Sequence, residues 1–148
     1  MRKTMSDILT NQQKWIYSDE VKEHFLHPQN FMEGEKPTWE YNGYGEIGSP
    51  ACGDVMKIWI LVEEDKIIKC GWKTFGCASA IASTSVLSEM VLRDGGMKIA
   101  DAKMINAKMI INELHGLPDN KIHCSVLGDK ALRMAIVDYE NRRNHENG

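Results

Sequence analysis

The stretch "DVMKIWILVEEDKIIKCGWKTFGCASAIASTSVLSEMVL", residues 54–92, changes its hydrophobic period part way along. Asp54, Met56, Ile58, Ile60 and Val62 alternate onto one face while Lys57 and Glu63 lie on the other, the period of two of a half-buried strand. The short turn "EED" leads into a second strand over 66–76, so the two strands are expected to pair antiparallel. From Cys77 the small residues of "CASAIAS" give way to Val86, Leu87, Met90 and Val91 at helical spacing, closed by Gly95 and Gly96. The Ala and Ser run lets this helix approach a neighbour closely.

Upstream, a third strand is expected near 43–48, preceded by a loop carrying Gly34 and Pro37. Before it, "YSDEVKEHFLHPQN" reads as a helix: Ser18 caps it, Asp19 and Glu20 suit its positive end, and Val21, Phe25 and Leu26 share a face ahead of Pro28. Residues 1–15 are polar and expected to fray. Downstream, 98–115 reads as one or two helices with Ile105, Met109 and Leu114 apolar, ending at Gly116 and Pro118. A last helix is expected over about 123–143, presenting Leu127, Ala131, Met134 and Val137, with 144–148 as a tail. Strands followed by helices predict an α+β fold: a three-stranded antiparallel sheet with about five helices packed against it, in one domain over 1–148.

With 148 residues, 43% of them hydrophobic, the chain can bury a continuous core. A net charge of -3 with scattered Lys and Arg lacks the basic footprint of a nucleic-acid binder, leaving proteins or metals as the expected partners. "IWILV" at 58–62 is far too short to cross a bilayer, and "MRKTMSDILTNQQKW" lacks the apolar segment of a signal peptide, so a cytoplasmic location is expected. In that compartment the cysteines at 52, 70, 77 and 124 are expected to be reduced, as core filler or as chemistry.

Cys52 lies in the Gly- and Pro-punctuated "GSPACGDVM", two residues before Asp54, and Gly53 frees the backbone so that both side chains can face one point. Cys77 sits where strand becomes helix, and Cys124 in "KIHCSVLGDK" is expected at the start of the last helix. Helix N-termini favour the thiolate, the form that binds metal or attacks sulfur. Each cysteine alone reads equally well as a small buried residue; together, each at a loop or helix entrance, they suggest a shared site. Spacings of 25 and 47 residues form no local zinc-finger pattern. Cys70 alternates with Ile68 and Trp72 on one apolar strand face and is expected to be core. His24, His27, His115 and His145 read as structural or solvated, His123 gains weight from abutting Cys124, and the nine methionines read mostly as core.

Taken in order, "PACGD", "TFGCASAIAS" and "KIHCSVL" resemble the IscU/NifU family of iron-sulfur cluster assembly scaffolds, over about Tyr17 to Arg143. The resemblance implies a SufE/NifU-like fold, an assembly site of Cys52, Asp54, Cys77, His123 and Cys124, and Cys124 as the principal sulfur acceptor, carrying a persulfide. It also implies a scaffold rather than an enzyme, with a transient [2Fe-2S] cluster, iron, a cysteine desulfurase of the IscS/NifS type and apo iron-sulfur acceptor proteins; zinc is possible in the resting form. Cys70 has no counterpart in the family's site. At 117–121 the chain has "LPDNK" where IscU proteins typically carry Leu-Pro-Pro-Val-Lys, so an Hsp70-type chaperone partner does not carry over. "GLPDNKIHCSVLG" looks more like the N-terminal domain of NifU, and His123 with no space for an insertion separates the chain from the SufU branch.

Three thiolates with one harder ligand, Asp54 or His123, should leave a less tightly held iron than four thiolates would. Zinc competes for such a donor set, as a zinc-bound sulfur acceptor that enhances a desulfurase or as a hydrolase with Asp54 as base. The His-x-Glu and Cys-x-x-Cys of a zinc deaminase are missing. The remaining alternative is an interaction module with inert buried cysteines.

Overall fold

The computed structural model describes residues 18–49, 54–117 and 127–147. Helix α1 spans Asp19–Leu26, and strands β1 (Gly43–Ser49), β2 (Asp54–Glu63) and β3 (Lys66–Phe75) follow. Helix α2 covers Ala78–Leu92, α3 is the single turn Ile99–Ala102, α4 covers Ala107–Glu113, and α5 covers Gly128–Asn147. The strands form one antiparallel sheet in the order β1-β2-β3. The sequence-based expectation of an α+β meander holds, with a refinement: α2 and α5 lie on one face of the sheet, while α1 and α4 pack on α2.

The strand pattern shows why that face was chosen. Met56, Ile58, Ile60 and Val62 are at most 3% exposed, and burying each contributes about 1.5–3 kcal/mol. A one-residue slip would turn all four to solvent, which fixes the register Ile58↔Trp72 and Ile60↔Cys70. Beyond Cys70 the register shifts between Leu61 and Val62, so Ile67 rather than Ile68 faces the core. The irregularity reverses the side-chain phase there, and Ile68 is only half-buried.

Helix α5 sits against β1 through small residues on both sides. A Cβ on Gly43 would lie 2.5 Å from the Ala135 carbonyl, and one on Gly45 would lie 2.0 Å from the Ala131 carbonyl. The helix therefore runs antiparallel to β1 with Ala131 and Ala135, one turn apart, against two glycines. This corrects the expected helix face. Ala131, Leu132, Ala135, Ile136 and Tyr139 are buried, whereas Met134 and Val137 are 47% and 51% exposed. The helix also begins at Gly128, four residues after Cys124, instead of near 123, and continues through Asn147 instead of ending near 143. Met104 and Met109 are exposed as well, so the methionines divide between core and surface.

Both sheet edges are occupied. Asn30–Met32 lies along β3, with Met32 N–H donating to the Trp72 carbonyl at 2.9 Å. On β1, the Tyr44 N–H donates to Asp138 of α5 at 2.9 Å, and Arg142 holds the same carboxylate at 3.0 Å. Blocking an edge in this way removes a template for strand addition. None of the described helices is long and apolar enough to cross a membrane.

Candidate functional site

Cys77 is the N-cap of α2, with extended backbone at φ -80° and ψ 175°, and its carbonyl accepts the first helical hydrogen bond from Ile81 at 3.1 Å. Its side chain makes no capping bond and is half-buried and free of disulfide. A thiol that does not cap is available to something else at the positive end of a 15-residue helix.

Asp54 opens β2 opposite Ser49, the last residue of β1. This end adjoins the end of β3, because Val55 faces Phe75, the last residue of that strand, and Cys77 follows two residues on. The start of α5 arrives at the same end. Since Ala135 lies against Gly43 and Ala131 against Gly45, the helix start at Gly128 points towards the Ser49 end of β1. Gly128 packs against α2, where an added Cβ would lie 2.8 Å from Leu87 and 3.8 Å from Thr84. Ser49, Asp54, Cys77 and Leu127 thus gather at one end of the sheet.

Of the expected site residues, Cys77 is described in full and Asp54 as a strand position. Cys52, His123 and Cys124 lie outside the described residues. Among the described residues no three His, Cys, Asp or Glu side chains come together as a metal site.

Cys70 is the control thiol. It is buried on β3 within the hydrophobic core, and burial pushes its pKa from the ordinary 9.0 up to about 12. The unfolded chain releases this proton near pH 9 while the folded chain keeps it to about pH 12, so the fold loses stability as the pH rises through that window. Urea unfolding at pH 8 and pH 10.5 is expected to show this loss in the wild type and a smaller loss in Cys70→Ala. An equal loss in both would remove Cys70 as its source.

The described histidines are structural or solvated. His24 Nδ1 lies 2.8 Å from Ser85 Oγ, which also accepts from the Gln29 N–H at 2.8 Å, tying α1 to α2. His115 pairs with Glu20 at 3.1 Å on the surface.

Burial identifies what sequence reasoning missed. Among the described residues, two buried side-chain atoms have no hydrogen-bond partner: Ser79 Oγ, in the first turn of α2, and Asp129 Oδ1, in the first turn of α5. The other Asp129 oxygen is held by Arg133 at 2.9 Å. Within "CASAIAS" Ser79 reads only as a small residue, and no sequence signal separates it from its neighbours. A groove of about 540 Å³ opens on the sheet face away from α2 and α5, lined by Tyr44, Lys57, Trp59, Lys73, Phe75 and Arg142 among others. Its lining has no thiol or imidazole.

Comparison with known proteins places this geometry in context. The family described as NifU-like N terminal domain matches residues 16–146. The chain is 43% identical over 124 residues to iron-sulfur cluster assembly scaffold protein IscU 1 of Archaeoglobus fulgidus, covering 84% of this chain and 76% of that protein. It is 43% identical over 131 residues to the IscU scaffold of Rickettsia prowazekii, covering 88% and 96%. Against the nitrogen fixation protein NifU of Azotobacter chroococcum it is 42% identical over 139 residues, spanning 89% of this chain and 42% of that protein. Among solved structures, the N-terminal part of a NifU-like protein from Brucella abortus superposes with a TM-score of 0.66 at 19% identity, over 85% and 95% of the two chains. A candidate scaffold for the SUF system from Fervidobacterium islandicum superposes at 0.60 with 23% identity, over 82% and 97%. At these identities the two structures speak for the fold.

Proposed function

The chain belongs to the NifU-like N-terminal domain family, and we propose that it is a cytoplasmic scaffold on which a labile [2Fe-2S] cluster is built and then passed to apo-proteins. The observation that carries this reading is the convergence of Ser49, Asp54, Cys77 and Leu127 at one end of the sheet. Cys52 lies between the first two in sequence, and His123 and Cys124 lie four and three residues before the last. The relatives named as IscU scaffolds support the same role.

The chemistry follows from the donor set. A desulfurase of the IscS/NifS type carries sulfur as a persulfide. The Cys124 thiolate attacks its terminal sulfur, the S–S bond breaks, and the desulfurase thiolate leaves. Two electrons from a thiol reductant such as excess L-cysteine, which is oxidised to its disulfide, then release that sulfur as sulfide and restore the Cys124 thiolate, and the sulfide joins iron held by Cys52, Cys77 and a harder ligand. His123 can keep the iron while Cys124 leaves it to take up sulfur. Soft thiolates hold the cluster, and a carboxylate in place of a fourth thiolate keeps one iron exchangeable. The protein ends a turnover unchanged, as a carrier and not an enzyme.

Asp54→Ala is therefore expected to load a cluster that survives longer under a chelator and reaches apo-ferredoxin more slowly. Transfer rates equal to wild type would show that Asp54 is not the labile position.

A further inference from the structure

Three hydroxyls of α2 bond back along their own helix, Ser85 Oγ is engaged by His24 and Gln29, and Ser79 alone of the five has no partner among the described residues. Ser83 and Thr84 donate to the Ala80 carbonyl at 3.1 and 2.8 Å, and Ser88 donates to the Ser85 carbonyl at 2.7 Å. Each finds an acceptor three or four residues back, the usual outlet for a helical hydroxyl. Ser79 stands one residue into the helix after Ala78, so the carbonyls three and four back belong to Gly76 and Phe75, before the helix begins. It is 0% exposed, and its Oγ has no partner among the described residues. A buried hydroxyl left unpaired costs stability and calls for an explanation such as a missing ligand.

Its position supplies one. Cα–Cβ bonds in a helix tilt towards the N-terminus, so the Ser79 side chain leans back towards the turn capped by Cys77. The N–H groups of that first turn carry the positive end of the helix dipole. The uncapped thiol and the unpaired hydroxyl thus belong to one turn of helix, the thiol free to hold iron and the hydroxyl lacking an acceptor that an anionic sulfur would provide.

We propose that Ser79 Oγ–H donates a hydrogen bond to a sulfur atom of the cluster held at Cys77, making Ser79 a further binding residue of the site. The proposal rests on the scaffold reading. It predicts opposite signs for one substitution in two states. In the apo-protein, Ser79→Ala removes an unpaired buried hydroxyl and adds helix propensity, so the melting midpoint rises. In the loaded protein the same change removes a donor, and cluster lifetime under a chelator falls about tenfold, the equivalent of one ordinary hydrogen bond at 1.4 kcal/mol per decade.

The test compares wild type and Ser79→Ala after anaerobic loading with ferrous iron, L-cysteine and a cysteine desulfurase. Apo melting, cluster decay, and Fe–S resonance Raman bands in H2O and D2O are recorded. Expected are a higher apo midpoint, faster decay, and loss of a deuterium-sensitive Fe–S band present in wild type. A lower apo midpoint would reveal a structural partner and overturn the proposal, as would decay and deuterium shifts equal to wild type. Wild-type protein that takes up no cluster would overturn the scaffold reading first and this proposal with it, whereas a loaded wild type with an indifferent Ser79→Ala overturns this proposal alone.

Discussion

Cys77→Ser is expected to abolish cluster assembly while leaving the fold as stable as wild type or slightly more so. The substitution exchanges a thiol that makes no capping bond for the hydroxyl of a preferred N-cap residue, so the start of α2 gains an acceptor for its open N–H groups. The same exchange replaces a soft ligand with a hard neutral one that holds iron poorly. Loss of a ligand should exceed the roughly 10–100-fold that outer-shell losses cost at metal sites. Visible absorbance after anaerobic loading, together with thermal melting, separates the two effects. Wild-type cluster yield in this variant would move the chemistry away from the end of the sheet where Cys77 stands.

Gly45→Val is expected to produce the largest loss of stability. Its Cβ alone would stand 2.0 Å from the Ala131 carbonyl and 2.7 Å from the Ala135 amide nitrogen. Both obstacles are backbone, so α5 must move away from β1, and overpacking of this kind costs about 3 kcal/mol or more. Against a total of about 5–15 kcal/mol that is a large fraction. Displacing α5 also shifts the helix start at Gly128 away from Thr84 and Leu87 of α2, so loading should fall along with the urea midpoint. A midpoint within about 0.5 kcal/mol of wild type, the range of ordinary surface changes, would mean that α5 does not rest on Gly43 and Gly45.

These glycines mark the boundary of what the sequence makes legible. The alternation of Met56, Ile58, Ile60 and Val62 states the strand, its face and its partner layer, because the period of two has only one way to bury four large apolar residues. The last helix is harder. Its larger apolar residues, Met134 and Val137, draw the eye, yet close approach to two glycines selects a face built on Ala131 and Ala135. That requirement comes from another element and leaves no trace in the helix's own pattern. Ile67 replaces Ile68 in the core for a similar reason, since the pairing irregularity at Leu61 and Val62 is a property of two strands together.

The candidate site divides in the same way. Spacing alone said little about Cys52, Cys77 and Cys124, and the three motifs in order pointed to the family that the comparisons then showed. What the fold adds is the meeting of Ser49, Asp54, Cys77 and Leu127 at one end of the sheet. Cys70 needed no motif, because its strand position already argued for burial, and the thiol is indeed 6% exposed. Ser79 required the structure, since only burial and the missing acceptor distinguish it from Ser83 and Ser88.

The central claim, that this chain assembles and releases a cluster, is tested most directly by cluster transfer. The protein is incubated anaerobically with ferrous iron, L-cysteine and a cysteine desulfurase, separated from free reagents, and mixed with apo-ferredoxin. The account predicts visible absorbance and a [2Fe-2S] Mössbauer signature on this chain, followed by their passage to the ferredoxin. A colourless product that retains only zinc and passes nothing to the acceptor would contradict it.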